Sequence, residues 1–395
     1  MNENRRHYYF TAEGLSVGYD GKPLIRDIDI SLERGKILTL IGPNGGGKST
    51  ILRSIAGQLQ KIGGTVFLDG RNTESIGRKQ LAREMSVVLT ERVRPELMTC
   101  ADMAAAGRYP YTGRLGILSE EDRLRVRRAL KIVNMESYAD ADFRTVSDGQ
   151  QQRVLLARVI CQEPELILLD EPTSYLDIKH KLAMLQILRR LVREQAVTVI
   201  LSLHELELAQ KVSDYVLCVK GEYADRYGTP EEIFKEEYIR RLYDLDNGYY
   251  SEIFGSVEIK RDAGKWGERS PAADVSAAND AGKPGTPEVF VIAGGGSGAS
   301  VFRQLQREGI PFAAGVLHRN DIDYELARML ADCVVPERAY ERIGEEAYAQ
   351  ALRIMRDCGR VICCLKDEEF GEMNDGNRRL LREAEKAGLN VERRT

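Results

Sequence analysis

The sequence predicts an α/β chain in two parts, each a sheet flanked by helices. Short apolar, β-branched runs alternate with stretches of helical spacing along most of the chain. A glycine-rich turn follows one of these runs and opens a helical pattern. A stretch rich in Ala, Gly, Pro, Ser and Asp, residues 263–288, breaks the alternation before a second one begins.

Lys36–Ile41, Met85–Leu89, Leu166–Leu169 and Thr198–Leu203 are continuous apolar runs of strand length. Such runs suit parallel strands buried on both faces. Arg123–Val133, Gln150–Cys161 and Lys181–Glu194 carry helical spacing instead. Between the first run and the helical pattern Ile51–Gln60 lies Gly42-Pro43-Asn44-Gly45-Gly46-Gly47-Lys48-Ser49-Thr50. This fits a phosphate-cradling P-loop in sequence and in context, with a strand before and a helix after. The glycines free backbone N–H groups to wrap phosphates, and the helix N-terminus adds partial positive charge. Lys48 is expected to reach the outer phosphates, and the Ser49 hydroxyl to ligate Mg²⁺. A purely structural glycine turn is the alternative, against which the Gly-Lys-Ser-Thr ending argues.

Leu166–Leu169 ends in Asp170-Glu171, and adjacent side chains on a strand face opposite ways. Asp170 is expected to hold Mg²⁺ through its water shell. Glu171 is expected to polarise the attacking water as general base. A charge pair opening the next helix is the other reading. Thr198–Leu203 ends at His204, one of four histidines, and a satisfied hydrogen-bonding histidine is the plain alternative there. Gly42, Asp170 and His204 each follow a strand directly, and ligands of open parallel sheets bind beyond the strands' carboxyl ends. They are therefore expected on one rim, with Lys48, Glu171 and His204 as the catalytic set.

Ser147-Asp148-Gly149-Gln150 opens a further helix. Ser147 and Gln150 have capping-box spacing. A serine, a glycine and a helix N-terminus also make a second phosphate site. One copy has no use for two terminal-phosphate sites, whereas two copies facing head to tail do, each completing the other's pocket.

Composition narrows the function classes. The 395 residues suit two cores rather than one. With 43% hydrophobic and 30% charged residues, the chain has the balance of a soluble globular protein. A net charge of −4 supplies no field toward nucleic acid, which is not expected as a partner. Arg108–Arg114 suggests a basic patch, but a solvated face or a protein contact is the expected reading. Seven scattered cysteines without metal spacing read as reduced, buried thiols. The opening MNENRRHYYF lacks the apolar core of a signal peptide. No apolar run approaches the roughly 20 residues needed to cross a bilayer. Any path through a membrane is therefore expected from another polypeptide.

These motifs resemble those of the ATP-binding cassette (ABC) family over about residues 8–245. The resemblance implies a P-loop ATPase domain with a helical signature subdomain, using ATP and Mg²⁺. Tyr19 is similar to the aromatic that stacks on adenine, a contact worth about 1–3 kcal/mol per base. Ser147–Gln150 is similar to the signature motif, Ser174-Tyr175-Leu176-Asp177 to the D-loop, and His204 to the switch histidine. ATP would then be held by Tyr19, by Gly42 through Thr50, and by Ser147, Gly149 and Gln150. In that family ATP closes two cassettes and hydrolysis reopens them. Two positions depart from its pattern. Asp148 stands where glycine is commonest, an unfavourable charge unless it points away or is paired. Thr90, with Glu91 as the alternative, stands where the family places the Q-loop glutamine; Thr90 is thus a further candidate near Mg²⁺.

Glu171–Ile178, Gly107–Gly113 and Gly228–Ile233 resemble the importer branch that serves iron-siderophore, haem and vitamin B12 chelates. This implies an ATP-hydrolysing importer subunit, with iron chelate the first choice of cargo. The expected partners are a second cassette, transmembrane permease subunits and, indirectly, a substrate-binding protein. The expected place is cytoplasmic, on the inner face of the membrane through the permease. A non-transport cassette of translation or repair competes, but such chains carry a second cassette, coiled coils or zinc cysteines. A regulatory nucleotide-binding module without hydrolysis also competes, and intact Lys48, Asp170, Glu171 and His204 argue against it.

The expected division is a cassette over residues 1–262, a linker over 263–288 and a smaller Rossmann-like α/β domain over 289–395. Val289–Ala293, Phe312–Leu317, Ala331–Val335, Arg360–Leu365 and Leu389–Arg393 read as the strands of the second domain. Gly294-Gly295-Gly296-Ser297-Gly298-Ala299 after the first of them fits either a ligand-cradling turn or tight backbone packing. Asn320 and Asp321 stand near the end of the second strand, the position of a ribose-binding acid. This domain is expected to regulate, dock or bind a small ligand.

Overall fold

The computed structural model describes residues 8–89, 95–113, 116–174, 176–246, 248–252, 255–259 and 287–394. It contains two compact units, Met1–Asp246 with Tyr250–Val257, and Asn247–Tyr249 with Glu258–Thr395. Residues 263–286, most of the expected linker, lie outside the described residues.

The first unit is built on a single sheet. Its strands are β1 (Phe10–Tyr19), β2 (Lys22–Leu32), β3 (Ile37–Ile41), β4 (Gly63–Leu68), β5 (Arg71–Asn72), β6 (Met85–Val88), β7 (Leu166–Leu169), β8 (Thr198–Ser202), β9 (Tyr215–Lys220) and β10 (Tyr223–Gly228). They lie in the order β5-β4-β1-β2-β10-β9-β3-β8-β7-β6. The four runs singled out in the sequence are β3, β6, β7 and β8, within a residue at each end, and the ladder β3-β8-β7-β6 is parallel. The antiparallel wing β1-β2-β4-β5 was not foreseen.

Strands β3, β7 and β8 are buried at every position. Successive side chains enter different cores: Ile37, Ile41, Ile167, Leu169, Val199 and Leu201 point to one, Leu38, Leu40, Leu166, Leu168 and Ile200 to the other. The second core is closed by the antiparallel wing and by Ile51, Leu52 and Ile55 of the helix Lys48–Ile55. That helix begins three residues before the expected Ile51 and stops well short of Gln60. The first core is closed by the helices Cys100–Ala105, Glu120–Ile132, Asp148–Cys161 and Ile178–Gln195.

The segment Gly107–Gly113 packs among these helices and is neither a solvated face nor a basic patch at Arg108. The Arg108 side chain is 3% exposed and pairs with Asp122 at 2.8 Å. Its Nη1 also donates to Cys161 O at 2.9 Å, and its guanidinium lies 3.8 Å from the centroid of the Tyr111 ring. Asp122 serves twice: Oδ1 accepts from Arg108, while Oδ2 accepts from Ser119 and so caps the helix Glu120–Ile132.

A two-stranded sheet, β11 (Gly248–Ser251) with β12 (Ser256–Ile259), follows the ten-stranded one. The second unit then has β13 (Val289–Ile292), β14 (Phe312–His318), β15 (Cys333–Glu337), β16 (Arg360–Cys363) and β17 (Asn390–Arg393), all parallel, in the order β15-β14-β13-β16-β17. Strand β15 starts two residues later than expected. Asp332 belongs to the turn, where its carboxylate accepts from Phe312 N at 2.9 Å. Pro336 is tolerated because β15 is an edge strand.

Among the described residues no helix is long and apolar enough to cross a membrane, and no group of side chains suits a metal cluster. All seven cysteines are free, six of them buried and Cys333 half-buried.

Removing Arg108 would leave a buried carboxylate unpaired. Arg108→Ala should therefore cost about 3 kcal/mol or more in urea unfolding at neutral pH. The Ser119 hydrogen bonds and then Arg108 hold the Asp122 carboxyl below its ordinary 3.8, against the opposing effect of burial. A lowered folded pKa contributes stability above the ordinary value and loses it as pH falls through the folded one. The gap between wild type and Arg108→Ala should accordingly narrow in acid.

Candidate functional site

Strands β3, β8 and β7 deliver Gly42, the Ser202–His204 segment and Asp170–Glu171 to one rim, as the sequence anticipated. The loop leaves β3 at Gly42, with φ 143°, and an added Cβ there would lie 2.1 Å from Val219 O. Only glycine lets the loop start against β9. Gly45 and Gly47 also take positive φ, and the helix begins at Lys48. Lys48 is buried, and its ammonium donates to Gly42 O at 2.7 Å and Pro43 O at 2.9 Å. Burial lowers its pKa, opposed by the charges of Glu171 and Asp170.

The two adjacent carboxylates take separate partners. Asp170 Oδ1 accepts from Ser49 Oγ at 3.0 Å and from Ser202 Oγ at 2.8 Å. Glu171 takes φ 49°, which turns the chain after the strand. Its Oε1 lies 2.5 Å from His204 Nε2, and its Oε2 accepts from Ser174 Oγ at 3.0 Å. Ser202, which the sequence reading missed, also accepts from Glu171 N at 2.8 Å. It bridges both carboxylate residues, yet a serine ending an apolar run carries no distinctive signal. Tyr19 is half exposed beside the loop's helix, its hydroxyl 3.2 Å from Thr50 Oγ1.

Ser147, Gly149 and Gln150 make no hydrogen bond to Gly42–Thr50 among the described residues. Ser147 and Gln150 form the capping box that their spacing suggested: Ser147 N donates to Gln150 Oε1 at 2.9 Å, and Gln150 N to Ser147 Oγ at 3.3 Å. A Cβ on Gly149 would meet His180 and Leu176 at 3.5 Å, so this helix start abuts the segment opened by Asp177. Asp177 caps the helix Ile178–Gln195 through His180 N at 2.9 Å. Asp148 sits exposed in the first helical turn, where negative charge opposes the positive end of the macrodipole. Its departure from glycine is thereby accommodated. Thr90, Glu91 and Tyr175 lie outside the described residues.

In the second unit Gly294, Gly295 and Gly296 all take positive φ between β13 and the helix Ala299–Glu308. Two carboxylates already hold the turn. Gly295 N donates to Asp321 Oδ1 and Oδ2 at 3.0 and 2.9 Å, and Gly298 N to Asp323 Oδ2 at 2.9 Å. Asp321 thus clamps the loop from the position read as a ribose-binding acid, and Asn320 is exposed beside it. A cleft of about 390 Å³ opens between Gly294–Ser297, Leu365, Glu369 and Asn374.

Comparison with known proteins gives the family. The family model described as ABC transporter matches residues 25–174, and one named MJ0874 family matches residues 312–393. The chain is 39% identical over 306 residues to the ABC transporter ATP-binding protein MJ0873 of Methanocaldococcus jannaschii, covering 78% of this chain and 99% of that protein. It is 36% identical over 236 residues to the iron(3+)-hydroxamate import ATP-binding protein FhuC of Bacillus subtilis, covering 60% and 88%. Among solved structures it resembles cbiO1 of Clostridium perfringens, part of the ABC transporter complex cbiONQ, with TM-score 0.51 and 26% identity over 61% of this chain and 96% of that one.

Asp323 has a signature of its own. It is 1% exposed, its Oδ1 has no hydrogen-bond partner of good geometry, and burial raises its pKa against the pull of the Gly298 amide. A raised folded pKa makes the second unit gain stability as pH falls through that value toward the ordinary 3.8. Asp323→Asn keeps an acceptor for Gly298 N and should abolish that gain in thermal unfolding of the full chain. A loss above about 1 kcal/mol at pH 7 would show instead that the charge itself secures the loop.

Proposed function

This chain belongs to the ABC transporter ATP-binding family, and we propose that it is the ATP-hydrolysing subunit of an importer for an iron(III) chelate. One geometry carries the hydrolytic part. Glu171 lies against His204 while the neighbouring Asp170 reaches Ser49, all on the rim beyond the P-loop. The amides of Asn44–Gly47, the helix N-terminus and Lys48 bind the outer phosphates of ATP, and Tyr19 offers its ring to adenine. Ser49 and Asp170 present two oxygen donors 3.0 Å apart, which suits Mg²⁺, a cation that keeps several waters and takes phosphate oxygens. When bound there it neutralises charge on the phosphate oxygens. Glu171 accepts the proton of the attacking water, whose oxygen bonds to the γ-phosphorus as the bond to the β–γ bridging oxygen breaks. His204 and Ser174 orient the Glu171 carboxylate, and Ser202 fixes its backbone.

Similarity to an import ATP-binding protein over most of its length supports the transport reading. Permease subunits supply the membrane path and hold the chain at the inner face of the membrane, with a substrate-binding protein acting through them. Ser147, Gly149 and Gln150 serve the pocket of a second copy facing head to tail, beside Ser174 and Asp177. The second unit regulates or docks the motor, because every reacting group named here precedes residue 205.

Purified Glu171→Gln should bind Mg-ATP, lose at least about a hundredfold in kcat and accumulate as an ATP-bound dimer. Turnover near wild type would remove Glu171 from the base role. Native co-isolation should recover a partner with several apolar spans, and a ribosomal or DNA partner in its place would overturn the transport reading.

A further inference from the structure

We infer that Tyr243 is a positioning residue for phosphate binding, fixing the first peptide of the Gly42–Thr50 loop from outside it. The inference rests on the reading of that loop as the ATP site. Gly42 N donates to the Tyr243 hydroxyl at 3.0 Å. Tyr243 follows the helix Glu236–Leu242, the last helix of the first unit, some two hundred residues from the loop in sequence. Burial pushes its phenol up to about 12, so the hydroxyl stays neutral at physiological pH.

The end of β9 organises both partners. Gly42 is pressed against Val219 O, which leaves no room for a side chain. The next residue, Lys220, donates to Arg241 O and, at 2.7 Å, to Asp244 Oδ1. These contacts bracket Tyr243 on both sides and present its ring to the loop. Gly42 is therefore held through both flanking peptides, the N–H of the first by Tyr243 and the C=O of the second by Lys48. A phosphate that draws the Lys48 ammonium to itself removes the second hold. Tyr243 then remains to keep the first peptide oriented, so that the amides after it still converge on the phosphates. A poorly placed loop weakens binding without altering the groups that cleave the bond.

The test compares full-length wild type, Tyr243→Phe, Lys220→Met and the double variant. Phenylalanine keeps the ring and removes only the acceptor. KM and the equilibrium dissociation constant for ATP should both rise about three- to tenfold in Tyr243→Phe, with kcat within about twofold. The melting temperature should move by no more than about 4 °C. Lys220→Met should shift KM the same way, and the double variant should fall short of the product of the two effects. Unchanged ATP affinity in Tyr243→Phe overturns the inference, as does a loss confined to kcat or a far larger drop in melting temperature, which marks a packing role. Lys48→Ala separates this from the underlying reading: it should weaken ATP binding by at least about tenfold through loss of a charge-assisted contact. Wild-type affinity in Lys48→Ala would refute the loop as the ATP site, whatever Tyr243→Phe does.

Discussion

The parallel ladder of β3, β8 and β7 is the constraint on which the candidate site depends. Leu40 lies level with Ser202, and Leu201 with Leu169. Asp170 N extends the ladder to Val88 O at 2.9 Å, and Leu203 N extends it to Leu40 O at 3.2 Å. Asp170 and Ser202 consequently leave the sheet side by side, and Ser49 reaches Asp170 from the loop that leaves β3. A one-residue slip would turn these side chains to the opposite face. Full burial of all three strands on both faces prevents such a slip. The residue after the ladder then has to turn. Glu171 does so in the left-handed region, which costs a residue with a Cβ about 1–2 kcal/mol. The bond from Glu171 N to Ser202 Oγ offsets part of that cost and directs the carboxylate to His204.

This dependence explains what could be read from the chain alone. Strands buried on both faces announce themselves as apolar runs, and a residue directly after such a run must stand on the rim. Gly42, Asp170, Glu171 and His204 were legible for that reason. The antiparallel wing was not. Strand β2, KPLIRDIDISL, buries only part of its surface, and β1 is paired through irregular register shifts, so neither shows a clean period. Ser202 and Tyr243 were illegible for a different reason. Their significance lies in distant partners, Asp170 and Gly42, and nothing local marks a serine or tyrosine as reaching across the fold.

Position within an element decided what the charged residues do. Arg108 lies in a stretch that reads as basic and exposed, yet its guanidinium is buried because Asp122, a carbonyl and an aromatic face together satisfy it. A planar cation with several donors can be accommodated this way, where an ammonium would be harder to match. Asp148 illustrates the converse. A carboxylate beside a phosphate-binding motif invites concern, but at the first turn of its helix it faces solvent and opposes the helix dipole. Neither outcome follows from net charge, because both depend on which few groups lie within a hydrogen bond.

The two glycine-rich turns make the same point for anion binding. Each follows a strand and opens a helix, and each contains several residues at positive φ. Around the first, no described carboxylate accepts from the Gly42–Gly47 amides, and a buried lysine stands at the helix start. Around the second, Asp321 and Asp323 already accept from Gly295 and Gly298. An added phosphate at about 4 Å from either carboxylate would meet repulsion on the order of 4 kcal/mol per charge pair at an effective dielectric of 20. That exceeds what a helix N-terminus contributes, about 2 kcal/mol at most. The glycine pattern is therefore a statement about backbone shape. Only the surrounding charge fits that shape to a phosphate, and here the charge favours one at the first turn and opposes one at the second.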